Sequence, residues 1–219
     1  MNIEKFKTMI SVVPKHKEPK RFIPLVLKDN TMTVSDGAVI FKYNNVDTQN
    51  CDVGISWDDY NIIKKIKIES IEVKDGSIYF NGSNPANTAD RMIYEQFDSL
   101  FNTAKENCHE KMNIFPVQCK GCKIVVLNKS GIIYLSKDNE IIDSISMPMS
   151  DNLIAMQYTY IKNIFDMYRY FKVIPDIKFR QDRIMFSSEN INGVLMTFRL
   201  NDNLHSKFSK FQCKGYDEW

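Results

Sequence analysis

Alternating apolar and polar positions mark two similar hairpins in the chain. The stretches Ile71–Asn84 and Ile177–Asn190 each alternate apolar and charged residues before a polar turn and continue after it with Ile, an apolar residue and Phe. Because successive side chains of a strand point to opposite faces, this alternation predicts a strand, a tight turn and a second strand. The similarity of the two stretches raises the possibility that one unit is used twice.

An amphipathic helix is predicted directly before each hairpin. Ser56 and Asp59 form a capping pattern that starts the first helix, which extends to about Lys67. The second helix begins at Tyr158 and ends before Pro175, because the residue that precedes a proline disfavours the helical conformation. The apolar stripe of this second helix recurs at helical spacing and comprises Ile161, Ile164, Phe165, Tyr168 and Phe171.

The same order of elements continues upstream of both helices. Phe22–Asn45 and Phe115–Asp138 each predict three strands joined by turns, with Gly37 and Gly131 in matching turns. An amphipathic helix precedes each set of strands. The apolar stripes are Ile3, Phe6, Ile10 and Val13 in the first of these helices and Tyr94, Phe97, Phe101, Ala104 and Cys108 in the second.

The pattern therefore predicts an α+β fold with two repeated domains, each containing two helices packed on an antiparallel sheet. The domains are residues 1–90 and 91–200, they meet at the polar linker Ala86–Arg91, and residues 201–219 form a C-terminal tail. The alternative is a single α+β domain whose strands only look alike.

Composition and charge narrow the class of protein. The chain has 219 residues, of which 43% are hydrophobic and 26% charged, as expected for a globular protein with a packed core. The net charge of +2 excludes a protein that coats nucleic acid by charge alone. With no long apolar run and no secretory signal pattern, we expect a cytoplasmic protein whose five cysteines are free thiols.

Two segments resemble the DNA sliding clamp family. Ser187–Leu200 is similar to the final segment of the bacterial clamp, which typically ends in a strand reading Met-Pro-Met-Arg-Leu; Met196, Arg199 and Leu200 match, and Thr197 and Phe198 depart. Met32–Phe41 resembles a strand and turn near the start of a clamp domain. The high content of Lys, Ile and Asn is typical of an AT-rich bacterial or phage genome.

The resemblance implies a ring of six domains that encircles duplex DNA and tethers a polymerase without performing chemistry. Two domains in one chain imply a homotrimer, with the helices lining the central hole and the strands forming an outer layer. The alternative is a non-enzymatic interaction protein of duplicated α+β domains that does not encircle DNA.

Basic side chains on three predicted helices fit sequence-independent contact with DNA phosphates. The alternative for each helix is an ordinary solvated face, and the helix from Tyr94 has a mixed outer face that does not support a basic lining. The candidate DNA-facing residues are Lys5, Lys7, Lys64, Lys65, Lys67, Lys162 and Arg169.

The resemblance also implies an apolar cleft at the final strand, which takes peptides from a polymerase and a clamp loader. Carried over by position, the cleft residues are Met196, Phe198, Arg199 and Leu200, and the alternative is an ordinary last strand. The tail beyond them is aromatic; either it is disordered or it folds back on the body, with the cleft as one candidate position. Its aromatic residues are Phe208, Phe211, Tyr216 and Trp219.

Four residues within a short span have zinc-ligand chemistry, namely Cys108, His109, Cys119 and Cys122. Against a zinc site, the repeat places Cys108 on an apolar helix stripe, and it places Lys120 and Gly121 at a hairpin turn. A zinc-dependent nucleic-acid-binding module and a redox dithiol remain weaker alternatives. The sequence contains no recognisable catalytic motif or phosphate-binding loop, so we expect neither an enzyme nor a cofactor.

Overall fold

A computed structural model describes residues 2–16, 23–48, 51–85, 92–108, 110–111, 119–147 and 153–213. Within these ranges the chain forms helices and antiparallel sheets, which confirms the predicted α+β fold class. The helices are α1 (Ile3–Ser11), α2 (Trp57–Ile63), α3 (Met92–Asn107), α4 (Tyr158–Phe171) and α5 (Asp202–Ser209).

Antiparallel strands form three sheets. Eight strands pair in the order β4-β1-β2-β3-β14-β13-β12-β7, four in the order β10-β9-β8-β11, and β5 pairs with β6. The strands are β1 (Leu25–Lys28), β2 (Thr31–Ser35), β3 (Val39–Tyr43), β4 (Val53–Ile55), β5 (Ile71–Lys74), β6 (Ser77–Phe80), β7 (Glu110–Lys111), β8 (Ile124–Asn128), β9 (Gly131–Leu135), β10 (Ile141–Ser146), β11 (Ile154–Gln157), β12 (Asp176–Arg180), β13 (Arg183–Ser187) and β14 (Ile191–Met196).

The strand pairing repeats along the chain. Leu25 of β1 lies opposite Val34 of β2, and Val125 of β8 lies opposite Tyr134 of β9, which is a constant shift of 100 residues. The next strand also corresponds. Strand β4 pairs with β1 in the first half of the chain, and β11 pairs with β8 in the second half. We call α1 through β6 the N-terminal repeat and α3 through β14 the C-terminal repeat.

The predicted match between the turns of Gly37 and Gly131 is wrong. Gly37 lies between β2 and β3, whereas Gly131 starts β9 after the turn that follows β8. The equivalent turn of the N-terminal repeat, between β1 and β2, is made by Asp29 and Asn30, both with positive φ. Asp and Asn tolerate this conformation, so the equivalent turns of the two repeats do not both carry a glycine.

The two hairpins that resemble each other in sequence also share their register. Ile71 pairs with Phe80 in β5–β6, and Ile177 pairs with Phe186 in β12–β13, a shift of 106 residues. Pairing of β3 with β14 then joins the two repeats into the continuous eight-stranded sheet. The junction at 86–91 lies outside the described residues, and the predicted domain limits stay a prediction.

The helices divide between the two faces of the eight-stranded sheet. Helices α1, α2 and α4 share one core cluster with Phe41 of β3 and Phe186 of β13. Helix α3 belongs to a second cluster, with Ile40 of β3 and Met185 of β13. Because neighbouring residues of a strand point to opposite faces, α3 lies on the other side of the sheet from α1 and α4.

The tail folds back on the body as far as Cys213, which is one of the two outcomes that the sequence left open. Helix α5 packs against the four-stranded sheet, and Phe208 is fully buried there. Asn128 Nδ2 donates 2.8 Å hydrogen bonds to the carbonyl oxygens of both Phe208 and Phe211. Tyr216 and Trp219 lie outside the described residues.

Across the described part of the chain, every helix is too short or too polar to cross a bilayer.

Candidate nucleic-acid interface and partner segment

Helices α1, α2 and α4 form one layer, and main-chain carbonyls at the end of α1 hold it together. The Asn2 side chain caps the start of α1 by accepting from Lys5 N at 2.9 Å. At the other end, Tyr60 OH of α2 donates to Ile10 O at 2.8 Å, and Asn163 Nδ2 of α4 donates to Ser11 O at 2.9 Å. The last carbonyls of a helix lack partners within it, so side chains of two other helices fix this end of α1.

Six of the seven predicted DNA-facing residues place their side chains at the surface of this layer. Lys7 pairs with Glu4 at 3.5 Å, and Lys67 pairs with Glu69 at 3.0 Å. Asp166 pairs with two cations of α4, at 2.6 Å from Lys162 and 2.9 Å from Arg169. Lys65 is exposed and Lys5 is half-buried. Carboxylates therefore offset much of the positive charge of the layer, and any phosphate contact has to compete with exposed ion pairs, which are individually weak.

Lys64 departs from the prediction. Its ammonium group turns inward and donates to Ile10 O at 3.1 Å and to Val13 O. Burial, followed by repulsion from Lys15, lowers the pKa of Lys64 to about 8, although Asp36 acts in the opposite direction. Helical periodicity placed Lys64 on the polar face, but α2 packs its end against α1, so this side chain is a structural contact and we leave it out of the proposed DNA surface.

A buried polar cluster at the end of the helix layer was not found by sequence reasoning. The Asp36 carboxyl group accepts from Tyr160 OH at 2.5 Å, lies 2.7 Å from His16 Nε2, and accepts from the amides of Ala38 and Val39 at 3.0 and 3.1 Å. Burial and the bond to Asp36 raise the pKa of Tyr160. His16 and Asp36 come from the N-terminal repeat and Tyr160 from the C-terminal repeat, so the cluster joins the two.

Helix α3 does not contribute to the layer. Its Phe97 and Ala104 pack on the opposite face of the eight-stranded sheet, and Asp98 pairs there with Lys42 at 3.1 Å. The mixed charge noted on this helix in the sequence has a physical explanation, since the helix does not share a surface with α1, α2 and α4.

The predicted partner segment, Met196–Leu200, connects two sheets. Met196 N donates to Ala38 O at 2.8 Å at the end of the eight-stranded sheet, and Phe198 N donates to Ala155 O at 2.9 Å on β11. The side chains of Met196 and Phe198 are 43% and 38% exposed. Arg199 is also exposed, whereas Leu200 packs against the apolar cluster under α5. The segment thus presents two neighbouring apolar side chains to solvent.

The three zinc candidates that the structure describes do not converge. Cys119 and Cys122 bracket a turn before β8 and belong to the main core, whereas Cys108 belongs to the cluster under α3. Burial raises the pKa of Cys122 to about 11 and also raises the pKa values of Cys108 and Cys119, which disfavours the thiolates that zinc requires. His109 lies outside the described residues, and the described residues contain no group of three or more metal-ligating side chains.

Comparison with known proteins identifies the fold. No family model matches the sequence, and no curated protein matches it. Among solved structures, the chain is similar to the DNA polymerase III beta subunit of Thermotoga maritima, with a TM-score of 0.56 and 9% identity over 92% of this chain and 65% of that one. The beta subunit of Borrelia burgdorferi, in complex with a natural product, has a TM-score of 0.51 and 11% identity, covering 90% and 62%.

The sliding clamp of Bartonella birtlesii bound to griselimycin gives a TM-score of 0.50 and 12% identity, covering 90% of this chain and 64% of that one. The chain therefore has the sliding-clamp fold, as the sequence resemblance predicted, and it spans less than two thirds of the length of these structures.

Proposed function

We propose that the chain is a non-enzymatic, sliding-clamp-like processivity factor that encircles duplex DNA as a homotrimer and tethers a polymerase. The observation that carries this proposal is the duplicated strand pattern, in which β3 of one repeat pairs with β14 of the other to make a continuous sheet. Repeats joined edge to edge in this way are the building principle of a closed ring, because the same joint used between copies continues the sheet.

The internal repeat supports a position for the proposed joint. Strand β10 of the C-terminal repeat corresponds to β3 of the N-terminal repeat. Whereas β3 pairs with β14, β10 lies at the edge of its sheet. We propose that β10 of one copy pairs with the β5–β6 side of the next copy, as β3 pairs with β14 within the chain. Ile142 on this edge is 42% exposed. A head-to-tail joint of this kind closes into a ring when the rotation between copies is one third of a turn.

Within the ring, we propose that the layer of α1, α2 and α4 faces the DNA. Lys5, Lys7, Lys65, Lys67, Lys162 and Arg169 supply phosphate contacts without reading bases, which permits movement along the duplex. Exposed Met196, Phe198 and Arg199, with Leu200 behind them, receive peptides of the polymerase and of a clamp loader. We place the protein in the cytoplasm, where bacterial and phage replication takes place.

Sedimentation equilibrium over a range of chain concentrations tests the assembly. The proposal predicts a monomer of 25.6 kDa in equilibrium with a species of three times that mass. Ile142→Asp introduces a charge on the β10 edge and should shift the equilibrium to the monomer, whereas Ile174→Asp, at a 94% exposed position beyond α4, should leave it unchanged. A chain that stays monomeric at every concentration would instead favour an interaction protein that does not encircle DNA.

A further inference from the structure

At two positions of its outer face, the four-stranded sheet is apolar where the N-terminal repeat is polar. At a constant shift of 100 residues, Thr33 and Ser35 of β2 correspond to Ile133 and Leu135 of β9. The inner faces of the same strands are apolar in both repeats, since both contribute to the main core. The difference is therefore confined to the face that points away from the helix layer.

The C-terminal tail is seated on this apolar face. Helix α5 and the residues after it contribute Leu204, Phe208 and Phe211, spaced as i, i+4 and i+7, the spacing that places side chains on one face of a helix. The face beneath consists of Val126, Ile133, Leu135 and Ala155, and we call it the outer patch. The remaining side of α5 is polar and exposed, as in a helix that docks in a groove.

The tail is held by apolar packing on the outer patch and by hydrogen bonds to Asn128 and Ser130. Phe208 is its one fully buried large side chain within the described residues, and Asn128 and Ser130 bind the carbonyl oxygen of Phe211 at 2.8 and 3.1 Å. With eight residues, α5 is shorter than the roughly 12–15 residues that an isolated helix needs for stability in water. The helix therefore depends on the sheet, whereas the sheet is held by its own strands and inner core.

We propose that the outer patch is a docking surface for a partner's amphipathic helix and that α5 occupies it in cis. The partner carries an apolar residue followed by aromatic residues four and seven positions later, as the tail does, and it binds when the tail leaves. The patch continues into the partner segment, because Phe198 bonds to β11 and Leu200 packs beneath α5. This proposal does not depend on ring formation or on DNA binding.

A peptide-binding experiment on the full chain tests the proposal. The probe is a fluorescent peptide of residues 201–213 with Cys213→Ser, and its binding is measured by anisotropy. In the wild type, the tethered tail has an effective concentration near the millimolar range and excludes the probe. Phe208→Asp releases the tail and leaves the outer patch intact, so the probe should bind at least tenfold more tightly than to the wild type.

The matched control copies the N-terminal repeat. Ile133→Thr and Leu135→Ser, added to Phe208→Asp, give the outer patch the residues of β2, and probe binding should be lost. Folding of each variant is checked by its circular dichroism. The proposal is overturned if folded Phe208→Asp binds the probe no better than the wild type, or if the added substitutions leave binding unchanged.

Hydrogen exchange on the wild type gives a second test that requires no variant. If α5 detaches by itself, its amides should exchange at least a hundredfold faster than the paired amides of β8 and β9. Equal protection of α5 and these strands would mean that the tail leaves only when the sheet unfolds, and the outer patch would then be a permanent core rather than a docking surface.

Discussion

Replacement of Asp36 by alanine should destabilise the fold more than any other substitution in the turn between β2 and β3. The carboxyl group is 1% exposed and has four hydrogen-bonding neighbours, so its removal leaves Tyr160 OH and the amides of Ala38 and Val39 without an acceptor in the interior. Each buried donor left unpaired costs about 1–3 kcal/mol, and the partly exposed His16 can recover a water molecule. We expect Asp36→Ala to lower the free energy of unfolding by about 3–5 kcal/mol.

The internal repeat provides the control for this prediction. Ser136 occupies the equivalent turn of the C-terminal repeat and accepts from the amides of Asp138 and Glu140 at 3.1 and 3.2 Å, on an exposed surface. Ser136→Ala therefore removes the same kind of turn contact without the buried partners, and it should cost about 1 kcal/mol or less. Asp36→Ser should fall between the two, since a hydroxyl can keep the turn but cannot reach both His16 and Tyr160.

Urea unfolding followed by tryptophan fluorescence measures these differences. Trp57 is 5% exposed and lies edge-on to the His16 ring at 5.2 Å, so its emission reports on the cluster. Trp219→Phe in all variants removes the only other tryptophan of the chain. If Asp36→Ala and Ser136→Ala lower the free energy of unfolding equally, the buried cluster does not stabilise the joint between the repeats, and the reasoning fails.

Two further substitutions test the buried lysine of α2 and the packing between β3 and β14. Lys64→Met should raise the free energy of unfolding at pH 7 by about 1 kcal/mol, because burial lowers the pKa of this lysine to about 8 and the folded state bears the cost of the charged amine below that pH. The gain should shrink as the pH rises from 8 toward 10, and a gain independent of pH in urea titrations would contradict this. Gly193→Ala should lower the stability by about 1–3 kcal/mol, because a Cβ at this β14 position lies 2.5 Å from the Phe41 ring of β3. Thermal melts measure this loss of stability. Asn192→Ala, at the neighbouring residue, should lower the stability less, and equal losses would show that the β3–β14 contact is not tightly packed.

The sequence predicted the elements that have strong local patterns. Both hairpins and the helices α1, α2 and α4 follow from alternation and helical spacing, and the order of elements led to the repeat. The alignment of the three-stranded segments failed at Gly131, because Asp29 and Asn30 adopt positive φ in the equivalent turn and carry no glycine to mark it. Local pattern therefore gave the order of elements but not the register of the repeat.

The functional surface depends more on tertiary packing, and the sequence predicted it less well. Lys64 lies on the polar side of α2 by helical spacing, yet its amine bonds to carbonyls of α1. The Asp36 cluster joins residues that are 20 and 124 positions apart, and no local pattern signals their meeting. In contrast, the aromatic content of the tail was a visible signal, and its docking on the sheet buries Phe208.

The proposed ring around DNA can be tested by the retention of the chain on circular DNA. Dilute chain is mixed with nicked circular plasmid and then concentrated, so that the ring assembles around the duplex before gel filtration at high salt. Electrostatic binding falls steeply with salt, whereas a closed ring is held by topology. A closed ring should be retained on the circle at high salt and released when a restriction enzyme linearises the plasmid; release from circular and linear DNA alike would show that no ring closes around the DNA.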